Sequence, residues 1–380
     1  NDPQEVEAKI KRKTYKNLQD FDSDPNLINC ENGILDLRTM EKKDHTHTYL
    51  SKVLIPCNFT MPKSQDIEIN LEKTLFWKYL KNSFTVDGKL NQNDMMNVLE
   101  IMSSVFLKRN IDEKSIMFLG TGENGKSVCL DYTKYMTGKE NFSGVPLQVL
   151  TNDRFSTEKL DGKLANIFTD LEKDELPKTG IFKALSSGES VYAQKKHGQP
   201  FDLVSFATLI FSCNRFPKSY DQSQGFFRRW IIVKWQVDFE NNPDRIDDLK
   251  PKLLSNPSDR DLVFSSLMLI TKKLLDSNKF SYSKDWKTIQ KEWNANADPL
   301  DDFVDNYIID SEGSKTKRET YKFYKKIMFL KNETPLGIGA FGKKFSEYFD
   351  DSKSDKNRVW LNIDFKEPKQ ETMKGFDDNE

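Results

Sequence analysis

Ile116-Met117-Phe118-Leu119-Gly120-Thr121-Gly122-Glu123-Asn124-Gly125-Lys126-Ser127 runs an apolar strand into the pattern G-x-x-x-x-G-K-[ST], and a helical stretch over 128–136 follows. Strand, loop and helix in that order are the context the pattern needs. Gly120, Thr121, Gly122, Glu123, Asn124 and Gly125 let backbone N–H groups turn inward around phosphates, helped by the helix N-terminus. Lys126 places a cation on the β and γ oxygens of ATP, and the Ser127 hydroxyl is a ligand for Mg²⁺. Chance would produce the pattern in about one per cent of chains this long. Taken alone, the loop leaves kinase, GTPase, transporter and helicase open. No N-K-x-D signature occurs, which counts against a GTPase.

Outward from the loop, short apolar strands alternate with helices. Strands are expected at 116–119, 165–169, 207–213 and 230–233. Such alternation predicts an α/β core around a buried sheet. Upstream, 27–37 reads as two short strands around the Asn32-Gly33 turn. Amphipathic helices are expected over 71–83 and 94–107. Downstream of Trp235 come a linker carrying Asn241-Asn242-Pro243, a helix over 261–275 and a Ser/Lys-rich stretch at 278–284 that reads as a boundary. Three domains follow: 1–110 mainly helical, 111–280 the ATPase, and 281–380 a separate module.

Composition bounds the classes. The 380 residues are 37% hydrophobic and 31% charged, with a mean hydropathy of −0.69, as expected of a soluble globular chain. The apolar stretches are too short to span a bilayer and no signal segment opens the chain, so a cytoplasmic location without a membrane is expected. The chain begins at Asn1 rather than Met, which reads as a piece of something longer. Cys30, Cys57, Cys129 and Cys213 show no C-x-x-C spacing, and His45, His47 and His197 complete no zinc pattern. With a net charge of −1, any nucleic-acid contact must come from local patches.

Further residues fit a nucleotide-hydrolysing site. Asp170 and Glu172 follow the strand at 165–169, and alternation would put both on one side of an extended chain. One would hold the metal's water shell, with Asp170 beside Ser127 as a metal ligand, while the other polarises the attacking water. Acidic residues also cap many strands with no chemistry. Asn214 stands at the tip of the strand 207–213, where an amide could orient water. Arg228 and Arg229 directly precede the strand at 230–233, and an arginine there could reach a neighbouring subunit's γ-phosphate. An ordinary ion pair is the plain alternative for either.

This ordered set, Gly120–Ser127, Asp170/Glu172, residues 183–200, Asn214 and Arg228/Arg229, resembles the superfamily 3 helicases. The poxvirus-type and satellite-phage-type primase-helicases of plasmids, phages and large DNA viruses are the most similar group. Gly122–Ser127 matches the family's own loop. Residues 29–37 look like the head of its N-terminal helical domain, and 321–349 with Arg358-Val359-Trp360 like its winged-helix tail. The resemblance implies an AAA+-like P-loop core, a ring of identical subunits (usually a hexamer), single-stranded DNA in the pore and a fused or associated primase. It implies Lys126 and Ser127 on ATP and Mg²⁺, Asp170 and Glu172 as the acidic pair, Asn214 as sensor, and Arg229 as finger, with Arg228 the alternative. Many relatives carry Glu where Asp170 stands, which leaves open which carboxylate is the base.

Two elements are expected on DNA. Residues 185–201 read as a β-hairpin with a basic tip, and in the family such a hairpin enters the pore. Lys195, Lys196 and His197 would then meet the phosphate backbone. In the tail, Lys315, Lys317, Arg318, Lys322, Lys325, Lys326 and Lys331 interleave with Tyr321, Phe323 and Tyr324, as a helix facing duplex DNA would. Phe341, Phe345 and Phe349, four apart, read as core. A translocating helicase of plasmid or phage replication is the reading these residues favour. A non-translocating origin-binding initiator and a small-molecule kinase are the alternatives.

Overall fold

The computed structural model describes residues 20–366 except Thr121, Arg154, Lys173, His197, Asn241, Asp298, 331–334, Asp355 and Lys356, together with positions 3, 5–7, 9 and 16. Thr121, His197, Lys331 and most of the charged opening stretch therefore lie outside the described residues. The chain divides into two compact units, 1–289 and 290–380.

In the first unit, β1 (Leu27–Cys30), β2 (Gly33–Asp36) and β3 (Glu41–Lys43) form an antiparallel sheet. Cys30 pairs with Gly33 across the expected Asn-Gly turn, and β3 is an addition to the two strands expected. The helix expected over 71–83 is two helices, α1 (Ile67–Leu71) and α2 (Leu75–Ser83). Thr74 breaks it, because its hydroxyl caps α2 by accepting from the Trp77 N–H at 3.1 Å. The hairpin β4 (Thr85–Val86) and β5 (Lys89–Leu90) leads into α3 (Gln92–Ser104).

Next come β6 (Ser115–Leu119), α4 (Lys126–Thr137), β7 (Phe142–Ser143), α5 (Leu147–Asn152), β8 (Ala165–Phe168) and α6 (Gly180–Ser187). The hairpin β9 (Ser190–Gln194) and β10 (Pro200–Val204) precedes β11 (Thr208–Cys213), α7 (Gln224–Phe227) and β12 (Trp230–Lys234). Five of these strands form one parallel sheet in the order β12-β6-β11-β8-β7. Their apolar runs are continuous because both faces are covered. Phe182, Phe226 and Phe211 pack around Trp230, with Phe182 stacked on it at 4.6 Å.

Helices α8 (Leu249–Leu254) and α9 (Pro257–Ser277) close the unit. Asn256 caps α9 by accepting from the Asp259 N–H, with Pro257 at the first helical position. Residues from Ile28 to Phe280 share one hydrophobic core, so the segments 1–110 and 111–280 are packed as a single body. Nor is the 278–284 stretch a loose boundary. The buried Glu100 accepts from the Ser281 N–H at 2.8 Å, and the Asn97 amide donates to the Tyr282 carbonyl.

The division itself falls within α10 (Trp286–Ala297). The second unit continues as α11 (Pro299–Tyr307), β13 (Ile308–Thr316), α12 (Lys317–Leu330), α13 (Ile338–Phe345), β14 (Asp351–Ser354) and β15 (Asn357–Phe365). Its antiparallel sheet has the order β13-β15-β14. Phe303, Tyr324, Phe341, Phe345 and Trp360 fill its core, with Phe349 packed alongside, as the four-residue spacing predicts.

Candidate functional site

The loop Gly120–Ser127 leaves the C-terminal end of β6 and enters α4. Gly120 has no room for a side chain, since a Cβ there would lie 2.4 Å from the Trp235 carbonyl oxygen. Gly125 caps α4 at φ +89°, a left-handed conformation that glycine adopts without strain. The Asn124 amide donates to the Trp235 carbonyl at 3.1 Å, and the Phe239 N–H donates to the Glu123 carbonyl at 3.0 Å. From α2, the Tyr79 hydroxyl donates to the Gly125 carbonyl at 2.8 Å. Beneath the loop, Tyr79, Phe84 and Phe118 gather around Trp235. The loop is thus held from the N-terminal segment as well as from the sheet.

Lys126 is buried and its ammonium donates to the Gly120 carbonyl. Burial pushes that ammonium down to about 8, opposed by the nearby Asp170 charge. Ser127 is exposed in the first turn of α4. A cavity of about 190 Å³ adjoins the loop, with Tyr79, Val128, Phe239, Ile246 and Leu249 as apolar walls and Asn82, Glu123, Asp244 and Arg245 at its edge. Its volume suits one ring system rather than a drug-sized molecule. None of the cavity residues outside the loop, α4's Val128 included, had a sequence signal. Apart from Val128, they come from α2 and from 239–249, far apart in the chain.

Asp170 and Glu172 are exposed beyond the end of β8, which stops at Phe168. The strand alternation expected to align them therefore does not extend that far. What fixes the segment is the Leu171 N–H on the Ser212 carbonyl at 2.7 Å and the Gln148 amide on the Glu172 carbonyl at 2.9 Å. Asn214 is exposed one residue past β11. Because β6, β11 and β8 are parallel neighbours, the loop, Asn214 and Asp170 lie along one edge of the sheet. Ser127 and Asp170 supply hard oxygen donors of the kind Mg²⁺ takes. Among the described residues no cluster of three or more His, Cys, Asp or Glu forms a metal site.

Arg228 and Arg229 lie at the opposite edge. The Ser115 N–H donates to the Arg229 carbonyl at 2.6 Å, level with the start of β6, and β12 then runs beside β6 to Lys234 opposite Leu119. A five-residue strand separates them from the loop by roughly 16 Å. Arg229 is 8% exposed, pairs with Glu113 at 3.1 Å and donates to Ser187 Oγ at 2.6 Å and to the Gly225 carbonyl. Arg228 is 41% exposed and pairs with Glu113 at 2.5 Å. Burial works to raise the Glu113 pKa, but the Arg228 hydrogen bond and the two arginine charges hold it below the usual range.

Hairpin β9–β10 forms as expected, Gln194 pairing with Pro200, with Lys195 and Lys196 exposed at its tip. Val191, Ala193 and Leu203 are buried on one face, while Tyr192 and Val204 are exposed on the other. In the second unit the basic residues separate into two sets. Lys315 pairs with Asp364 at 2.8 Å, and Lys317 pairs with Asp351 at 2.9 Å while lying over the Trp360 ring at 4.0 Å. Arg318, Lys322 and Lys325 are exposed at helical spacing on α12.

Comparison with known proteins adds sequence relationships. Residues 4–84 match the family described as D5 N terminal like, and 118–229 match a family of unknown function, DUF5906. A protein of African swine fever virus provisionally named primase C962R is 22% identical over 325 residues, 79% of this chain and 32% of its own length. One of Acanthamoeba polyphaga mimivirus, provisionally named helicase L207/L206, is 21% identical over 61% of this chain and 24% of its own length. Another, of Invertebrate iridescent virus 3, is provisionally named helicase 121R and is 25% identical over 62% of this chain and 25% of its own length. The chain thus spans about a quarter to a third of these curated relatives. Among solved structures, the apo NrS-1 C terminal region aligns over 95% of this chain and 89% of its own, with a TM-score of 0.46 and 13% identity. By sequence the chain is similar to viral proteins provisionally named as primases and helicases. Among the described residues no helix is long and apolar enough to cross a membrane.

Proposed function

We propose that this chain is the motor of an ATP-driven DNA helicase of superfamily 3, working as a ring of identical subunits, a hexamer in the family's usual form, with a primase fused or associated. The observation that carries the reading is the position of the arginines. Arg228 and Arg229 sit at the end of β12 opposite the phosphate loop, about a strand's length from it, which supports an arginine serving a neighbour's nucleotide rather than its own. The names of the relatives point the same way, towards DNA replication.

On this reading the loop's N–H groups and the Lys126 ammonium hold the β and γ phosphates of ATP. The adjoining cavity takes the base between Tyr79, Phe239 and Ile246. Ser127 and Asp170 would hold Mg²⁺, which neutralises charge on the phosphate oxygens. Glu172 or Asp170 accepts the proton of the attacking water, and Asn214 orients that water. The neighbour's arginine stabilises the charge that develops on the transferred group. In the β9–β10 hairpin, Lys195 and Lys196 grip the single-strand backbone. The second unit runs helix, strand, helix, helix, strand, strand, an order that supports a winged helix, with Arg318, Lys322 and Lys325 as its exposed cations towards duplex DNA.

Strand displacement on forked DNA, with particle size measured in the same buffer, tests this. ATP-dependent unwinding by an oligomer is expected, with hydrolysis stimulated by single-stranded DNA. ATP-dependent assembly on duplex without displacement would replace the motor with an origin-binding initiator. Phosphoryl transfer to a small molecule, unaffected by DNA, would replace both with a kinase.

A further inference from the structure

We infer that Glu113 is the positioning residue of the arginine finger, holding Arg228 out towards the neighbouring subunit's nucleotide while Arg229 anchors the pair. This rests on the reading that an arginine serves a nucleotide across a subunit interface. Three observations carry it.

First, Asp112 and Glu113 both take left-handed backbone conformations, φ +51° and +54°, although neither is glycine. Two such residues in succession are uncommon and strained, and the result is a turn that presents the Glu113 carboxylate to the start of β12. Second, one oxygen of that carboxylate, Oε2, accepts from Arg228 at 2.5 Å and from Ser187 Oγ at 3.2 Å, and pairs with Arg229 at 3.1 Å. Third, the two guanidinium groups differ in freedom. Arg229 is fixed by Ser187, the Gly225 carbonyl and Glu113, and is almost fully buried. Arg228 is close to half exposed, and its own carbonyl is pinned by the Lys114 ammonium at 2.6 Å.

Charge and geometry then agree. One carboxylate faces two guanidinium groups, so the edge keeps a net positive charge that suits an anion. A guanidinium has five donors in a planar fork, so Arg228 can keep one nitrogen on Glu113 and offer the others to a phosphate oxygen. Removing the carboxylate would free the Arg228 side chain to sample many rotamers, and its pre-organisation would be lost.

The experiment is subunit mixing with exchange confirmed by labelled-subunit capture. Glu113→Gln should keep the wild-type KM for ATP and lose about tenfold or more in kcat, the loss that goes with one charged hydrogen bond. Glu113→Asp, which keeps the charge, should recover part of it. Mixed with Lys126→Ala, Glu113→Gln should regain activity, because its intact loop then faces the partner's intact finger. Mixed with Arg228→Ala it should not, since neither subunit offers a competent finger. Wild-type turnover in Glu113→Gln, or recovery with Arg228→Ala, would overturn the assignment. Should Glu113→Gln not fold, the same mixtures made with Glu113→Ala, which also removes the carboxylate, decide the matter by the same outcomes. If instead Arg228→Ala and Arg229→Ala both turn over normally, it is the cross-subunit reading that falls, and the two failures are told apart.

Discussion

Replacing Lys126 by Met tests whether the loop holds a charge at a cost to the fold. Lys126 is 5% exposed, and burial takes its pKa from an ordinary 10.5 down to about 8. The unfolded chain therefore keeps this proton up to about 10.5 while the folded chain releases it near 8. Between those values the unfolded state binds more protons, so stability rises with pH. Below pH 8 the full penalty applies: the gap from 10.5 to about 8, at about 1.36 kcal/mol per pH unit, is roughly 3 kcal/mol. At pH 9.5 it has fallen to about 1.4 kcal/mol. Methionine removes the charge but leaves the Gly120 carbonyl without its donor, which costs about 1 kcal/mol. The variant should then be more stable than wild type by about 2 kcal/mol at pH 7, roughly 5 °C in Tm, and nearly equal to it at pH 9.5. Thermal unfolding of the nucleotide-free proteins at both pH values measures this, and ATP hydrolysis in the variant should be abolished. Equal Tm at pH 7, or a more stable wild type, would refute the buried-charge argument. Normal turnover would refute the phosphate-loop reading.

Lys195→Ala with Lys196→Ala should keep basal hydrolysis but lose DNA stimulation and unwinding, and the salt slope of single-strand binding should drop by about 1.4, as for two lost phosphate contacts. Arg229→Ala should destabilise the fold by about 2 kcal/mol in denaturant unfolding, because it strips the Glu113 and Ser187 network of its buried cation. Arg228→Ala should lie within about 1 kcal/mol of wild type, its pair being largely exposed. Tyr79→Phe removes the hydrogen bond to the Gly125 carbonyl, and isothermal titration should show ATP binding about fivefold weaker. An unchanged Kd there would mean that α2 does not hold the loop.

Much of the sheet was legible because a buried parallel strand is a run of apolar residues with punctuation at each end. The expected strands at 116–119 and 230–233 differ from the observed ones by a single residue at one end. β7, two residues long, was not legible, since its pairing to β8 rests on neighbours rather than on any pattern of its own. The break at Thr74 was missed because apolar spacing continues through it, while the cap depends on one hydroxyl. At the candidate site, the strand, loop and helix around 120–127 were legible and the residues that support the loop were not. Tyr79, Trp235 and Phe239 read as ordinary aromatics, and only their approach to the loop gives them a role. Glu113 is another charged residue in a charged stretch until the turn at φ +54° aims it. Cations in the tail looked equivalent in sequence, yet Lys315 and Lys317 are spent on carboxylates while Arg318 and Lys322 face outward.

The long helix α9 bears on how the protein is made. It is the last large piece of the first unit, and it completes the packing of segments near the beginning. Ser103 Oγ donates to the Leu267 carbonyl, Thr271 Oγ1 to the Ser103 carbonyl, and the Asn58 amide to Asp261 at 2.7 Å. During synthesis, α3 must therefore leave the ribosome well before its partner exists. At about 5–20 residues per second, the roughly 170 residues between them take on the order of 10–30 s. For that interval the part of α3 that bonds to α9, around Ser103, lacks its native partner. A nascent chain in this window is a natural client for a chaperone.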